Sequence, residues 1–471
     1  MKSSREKPTR EEVFERLPVK RAVLAQILPA IASQMVALLY SLADTFFVGR
    51  LNDPDQTAAV TTAGAVFLLL TAVSNLFGVG GASLAARKLG SGLRDEAREV
   101  SSFCFWWGLV SAAALAVLIA LFSQPILRLL GAKEASLEYA RGYLLHAAVL
   151  GAVPTALTTL LTNLVRSEGA SLAASIGATL GCFINIALDP VFVLPFGLGM
   201  GAAGAGAATA LSNCAGLGYF LIYIVRRRGE TIVSVSPRRL KTAKRHASGV
   251  LSVGLPSALQ YLLTVVAVSA QLAFVSKYGS EAVAALGITK KLDQLPLFFS
   301  IGCASGLLPL VAYNHARGDH ERSESCFRFG VLISLSFALL SVAVYESFAP
   351  GLTRLFIEDK TTVTYAASFL RRMVIAMPFM SVCYPMITKF QAMGRAGESL
   401  TVSLMRKGVL DVPLLFLTDA VRPLYGLMWV QPIVDTLSLT AALILDRRLK
   451  NRLKSKQNNT DGSDPMEENH R

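Results

Sequence analysis

The chain has 471 residues, of which 53% are hydrophobic and only 17% charged, and its mean hydropathy is +0.49. Soluble domains carry about 25% charged residues, so the composition excludes a soluble enzyme or binding domain in favour of an integral membrane protein. The formal net charge of +14 does not point to nucleic acid, because Lys and Arg stand in short runs between apolar stretches rather than on one aromatic-studded face.

The first 21 residues are charged, and no small-residue cleavage site ends the span that follows, so the first helix is expected to be retained. Apolar spans fall at 22–49, 57–86, 99–123, 137–161, 171–194, 201–225, 249–277, 282–313, 327–349, 362–388, 398–418 and 424–446. A bilayer's hydrocarbon core takes about 20 apolar residues to cross, which makes the expectation an all-α protein of twelve transmembrane helices. The connections alternate in charge. The N-terminus, 87–98, the segment around Arg166, 226–245, 317–328, Lys389 with Arg395, and the tail from Arg447 are basic, whereas 52–56, 193–201 and 358–360 are poorer or mixed. Cytoplasmic loops collect Lys and Arg, so both termini are expected in the cytoplasm of a multi-pass inner (plasma) membrane protein.

The longest internal polar stretch divides the chain. The expected organisation is a cytoplasmic segment 1–21, a first lobe 22–225, a basic linker 226–248, a second lobe 249–446, and a basic, disordered tail 447–471. The lobes resemble each other. ILPAIASQMVALLYSLADTFFVGRL aligns with GLPSALQYLLTVVAVSAQLAFVSKY when Pro29 is laid on Pro256, an offset of 256 − 29 = 227. GGASLAARKLGSGLRD echoes SGLLPLVAYNHARGD, and RSEGASLAAS echoes GRAGESLTVS, in the same order. Six helices per half give a parallel repeat about an axis along the membrane normal, and transporters commonly bind their substrate between two such lobes.

Asp44 lies near the end of the first span, where a carboxylate is costly enough to face a partner or water; the alternative is that it caps the helix at the headgroups. The repeat offset carries it to Gln271, so the lobes differ in proton chemistry. In the fifth span Asn185 and Asp189 share one helix face at i and i+4, and Thr209 lies about two turns into the sixth. Asp44, Asn185, Asp189 and Thr209 then reach similar depth and suit a monovalent cation, because carboxylates held close in a poor dielectric cannot both ionise easily and can exchange a proton. The same oxygens suit Na⁺, and the alternative reading is that Asp189-Pro190 ends the fifth helix. In the second lobe Lys290 and Asp293 form an i, i+3 pair, or Asp293 meets a cationic substrate; Asp411 and Asp435 are weaker cases. Gln34, Tyr40, Asn163 and Gln271 are further candidates to line a central cavity. Six scattered cysteines and five histidines make no metal or haem set, and no phosphate-binding loop of the GxxxxGK[ST] type is present. No cofactor is expected beyond a coupling ion, and no nucleophile and base pair marks an enzyme.

SLADTFFVGRL, GGASLAARKLGSG, RSEGA, NIALDPVF, GLGMGAAGAGAATALSN, FQAMGRAGESLTVSLMRKGVLDVPLLF and YGLMWVQPIVDTLS, in this order, resemble the multidrug and toxic compound extrusion (MATE) transporters over nearly the whole chain, most of all the bacterial DinF-like and MepA-like branch. The resemblance implies two six-helix bundles around a V-shaped cavity, and export of drug-like, amphipathic, often cationic compounds in exchange for H⁺ or Na⁺. It maps the cation site onto Asp44, Asn185, Asp189 and Thr209. Members with a cation site in the second lobe carry a glutamate in the seventh span, and SALQYLLTVV has none. The expectation is a monomer among membrane lipids. The alternative within the superfamily is a flippase of lipid-linked precursors.

Overall fold

The computed structural model describes residues 10–130, 132 and 134–461, and among them there are helices and no strands. All twelve expected spans have a counterpart. Ten helices are long and apolar enough to cross a membrane, and Glu134–Leu150 with Ala152–Ser167 make an eleventh, bent by 51°. The remaining span is divided into Ala396–Leu404, Met405–Val409 and Asp411–Val421, with non-helical backbone at Lys407 (φ −139°, ψ 81°) and Gly408 (φ 155°, ψ −78°).

The helices overrun the apolar stretches by one to two turns. The second span runs over Pro54–Gly90, the third over Arg94–Leu129, the eighth over Ser280–Arg317 and the ninth over His320–Arg354. The second begins with Pro54 in the first turn and Asp53 as cap, whose Oδ1 accepts from the Asp55 and Gln56 amides at 2.9 and 3.3 Å. Where the sequence suggests a disordered tail over 447–471, the last helix continues to Asp461; 462–471 lie outside the described residues. The linker after the sixth span is tied down by Glu168, 1% exposed, which accepts from Tyr223 Oη, Thr231 Oγ1 and the Ile232 amide at 2.7, 2.7 and 2.8 Å.

The repeat is visible in the helices. The first span (Val19–Gly49) and the seventh (Ala247–Val275) carry Pro29 and Pro256, and the third and ninth carry Pro125 and Pro350. The lobes meet where the first span packs on the eighth and the second on the seventh.

Their meeting is lopsided. At the end where the first span begins, the terminal end, one apolar cluster runs across both lobes, from Phe14, Ile27, Phe77 and Leu84 to Val250, Cys303, Leu307 and Tyr313. At the far end each lobe has its own cluster, one around Val66, Ala147 and Val193, the other around Phe274, Phe369 and Val434. The lobes thus share one core at the terminal end and keep separate cores at the far end.

The N-terminal segment reinforces the closed end. Phe14 is fully buried and stacks on Tyr313 at 4.7 Å. Glu15 accepts from Tyr313 Oη at 2.6 Å and pairs with Arg317, and both contacts hold its carboxyl below the usual carboxylate range. Arg322 donates to the Phe14 and Leu17 carbonyls at 2.7 and 2.6 Å.

Glycine allows the backbones to touch there. A Cβ at Gly254 would fall inside the Leu76 carbonyl oxygen, and one at Gly80 inside that of Val250. Gly254→Leu is expected to wedge the terminal ends apart by about 1–3 kcal/mol of overpacking, a shift of roughly five- to 150-fold in the balance between states. A cysteine placed at Ser83 should accordingly become more accessible to an impermeant thiol reagent in the inserted protein. Unchanged labelling would show that this contact does not control closure.

Candidate functional site

The first, fifth and sixth spans deliver the four expected residues to one depth. Asp44 stands five residues before Gly49, Asp189 four before Val193, and Thr209 seven after Ala202. At about 1.5 Å per residue these are roughly 8, 6 and 10 Å from the far end. The fifth helix does not stop at Asp189-Pro190 but continues to Val193, which leaves Asp189 0% exposed inside the first lobe.

Asn185 joins the fifth helix to the sixth. In the amide orientation that satisfies both neighbours, it donates to Asp189 Oδ2 at 2.9 Å and accepts from Thr209 Oγ1 and the Thr209 amide at 3.3 and 3.1 Å. Tyr40 Oη lies 3.3 Å from Thr209 Oγ1. The Asp44 and Asp189 carboxyls are close enough for their charges to interact, and both charges also reach Tyr143, which is 5% exposed. Asp44 Oδ1 is buried and has no hydrogen-bond partner. Two carboxylates, an amide and hydroxyls thus lie in one part of the first lobe, with one oxygen of Asp44 left unpartnered. Hard oxygen donors of this kind fit a proton or Na⁺ alike. Across the cleft, Lys291 of the eighth span is the charge of the second lobe that acts on Asp44.

The other candidates spread out. Tyr40 belongs with the carboxylates. Gln34 is half-buried two turns from Ile27, on the face that meets the eighth span. Asn163 lies at the closed end, where its Nδ2 donates to the Thr159 carbonyl at 3.1 Å. Gln271, the counterpart of Asp44, is 8% exposed inside the second lobe.

Asp293 is not isolated, since the charges of Lys290, Lys407, Asp435 and Arg406 act on it. This group surrounds the break in the eleventh span. Arg406 Nε donates to Asp435 Oδ1 at 2.8 Å, Gln431 donates to Asp435 Oδ2 at 2.8 Å, Lys407 Nζ donates to Gln431 at 2.9 Å, and Asp411 accepts from the Gly408 amide at 3.1 Å. Three cations, Lys290, Arg406 and Lys407, face three carboxylates, Asp293, Asp411 and Asp435, so the second lobe's charges largely neutralise one another. The counterpart of Asp189 there is Leu415 or Phe416, both apolar, at an offset of 226 or 227.

Sequence reading missed Tyr143, although its place in the outer part of the fourth span was a usable signal. It also took Arg166 and Lys389 as loop cations. Both are 4% exposed inside helices, and Lys389 Nζ donates to Glu324 and Asp446 at 2.7 and 2.8 Å. A wider cavity of about 580 Å³, lined by Arg354, Arg371, Arg372 and Trp429 among others, opens in the second lobe and shares no residue with the Asp44 set.

The model of the MatE family matches residues 29–191 and 256–417, once in each lobe, and the two matches begin 256 − 29 = 227 residues apart. Among curated relatives, the multidrug export protein MepA of Staphylococcus aureus (strain MRSA252) is 29% identical over 441 residues, covering 93% of this chain and 96% of that protein. MepA of Staphylococcus haemolyticus (strain JCSC1435) is 28% identical over 441 residues with the same coverage. Among solved structures, an outward-facing conformation of a multidrug resistance MATE family transporter of the MOP superfamily has a TM-score of 0.88 at 23% identity, covering 95% of this chain and 99% of that one. A crystal structure of MATE in complex with MaD3S has a TM-score of 0.87 at 24% identity, covering 96% and 100%.

Proposed function

The chain belongs to the MatE family, and we propose that it is a secondary active exporter of amphipathic, often cationic organic compounds, driven by entry of H⁺ or Na⁺. Relatives named multidrug export proteins support the cargo class and do not favour a flippase of lipid-linked precursors. The coupling reading is carried by one observation: Asp44 Oδ1, buried and unpartnered, beside the Asn185, Asp189 and Thr209 cluster.

In this reading the protein works as a monomer in the inner membrane with both termini in the cytoplasm, and uses no cofactor beyond the coupling ion. With the far end open, the cation binds at Asp44 and Asp189, the first lobe repacks around it, and the drug is released outward. The lobes then rock, closing the far end and parting at the terminal end, where the ion leaves and drug enters. Ion and drug must favour different states, since a ligand bound equally to both shifts nothing.

The test is ethidium efflux from proteoliposomes under an imposed pH gradient or an imposed Na⁺ gradient. Efflux driven by one gradient and collapsed by the matching ionophore names the ion. If neither gradient drives efflux of any cationic dye, antiport of this cargo is wrong.

A further inference from the structure

At the closed end, between the lobes, lies a cavity of about 50 Å³ with Asn163 and Arg166 on one side and Ser305, Thr388 and Gln391 on the other. Asn163 and Gln391 are near-equivalent in the repeat, since 391 − 163 = 228, so the cavity straddles the axis relating the lobes. Ser83 Oγ, of the first lobe, donates to the Gln391 carbonyl at 2.5 Å and pins that wall.

Arg166 is the anomaly. It is 4% exposed, its Nε is buried without a hydrogen-bond partner, and among the described residues it makes no ion pair. A guanidinium taken out of water needs a counter-charge or a full set of hydrogen bonds. Every polar side chain lining the cavity, two amides and two hydroxyls besides Arg166, can donate a hydrogen bond, and none is a carboxylate. The volume admits one small ion with a water, and nothing much larger.

We propose that this cavity is a binding site for a small monovalent anion, chloride in the cell, held between Arg166 of the first lobe and the hydroxyl and amide donors of Ser305, Thr388 and Gln391 of the second. Because its ligands come from both lobes, the site exists only while the terminal end is closed. The anion is a removable clasp on that state, and it shifts the conformational balance by its difference in affinity between the closed and parted lobes. The site is separate from the Asp44 cluster and does not depend on which cation, if any, drives transport.

The experiment is thermal unfolding of the purified full chain in detergent, with Na⁺ held constant and chloride replaced stepwise by gluconate, which is too large for the cavity. The midpoint is expected to fall as chloride is withdrawn and to be restored, saturably, by chloride or bromide. Arg166→Gln should give one midpoint in all three anions, and Arg166→Lys should keep part of the response. Should Arg166→Gln fail to fold, Thr388→Val decides the matter from the other lobe, where loss of a hydrogen bond to an ion raises the half-saturating chloride concentration about tenfold. A wild-type midpoint indifferent to the anion means that water alone fills the cavity and overturns the proposal. So does an Arg166→Gln or Thr388→Val response equal to that of wild type.

Discussion

Asp44→Asn is expected to abolish gradient-driven efflux while leaving a folded, inserted protein. The two halves of that result have different causes. Asparagine keeps the shape of the side chain but removes the negative charge and the exchangeable proton, and Asp44 is the member of the cluster with an oxygen left unpartnered. Asp189, by contrast, is already engaged by Asn185. Replacing a half-buried carboxylate whose Oδ1 is buried without a partner by a neutral amide relieves desolvation rather than breaking a bond, so the thermal midpoint should stay or rise. Efflux in proteoliposomes should drop to the level of empty vesicles under either gradient. Asp44→Glu, which keeps the charge but extends it by one methylene, should retain a reduced rate. Wild-type efflux by Asp44→Asn would move coupling elsewhere, and a protein that fails to insert would make Asp44 structural.

Much of this was legible in the chain because a bilayer enforces it. Spans must be long and apolar, so their number and order survive inspection by eye, and the twofold repeat shows in Pro29 and Pro256. The Asp44 cluster was legible for a related reason: a polar residue in hydrocarbon has few places to go, and depth along consecutive spans predicts which of them meet. What was illegible was pairing decided by tertiary structure. Arg166 and Lys389 look like any other loop cation at the end of a span, and only the packed helices show that both are buried. Phe14 lies in a charged segment that reads as solvated, yet it fills the core shared by the two lobes. The break at Lys407 and Gly408 hides inside an otherwise helical run, because its cause is a set of partners in the eighth and twelfth spans that no local pattern announces.

Those partners lead to the largest stability effect. Arg406 and Asp435 are 1% and 0% exposed, and the guanidinium lies 4.1 Å from the Tyr384 ring centroid. Asp435→Leu would strip Arg406 of its hydrogen-bonded counter-charge in a membrane-embedded core and should destabilise the protein by about 3–5 kcal/mol, read as a collapsed yield of monodisperse protein and a lower midpoint. Arg406→Met strands Asp435 with Gln431 as its remaining partner and should cost a similar amount. Combining them removes both charges together, and replacing a buried pair by apolar groups is often neutral. The double variant should therefore recover most of the lost stability, with an interaction energy in the cycle at least as large as either single cost, about 3–5 kcal/mol or more. Its transport need not recover with it. Gln431 links this pair to Lys407 in the broken segment, so removing the pair frees the break to close into continuous helix. A stable double variant with reduced efflux would assign the network to shaping the eleventh span, whereas single variants within about 1 kcal/mol of wild type would show that the pair holds nothing in place.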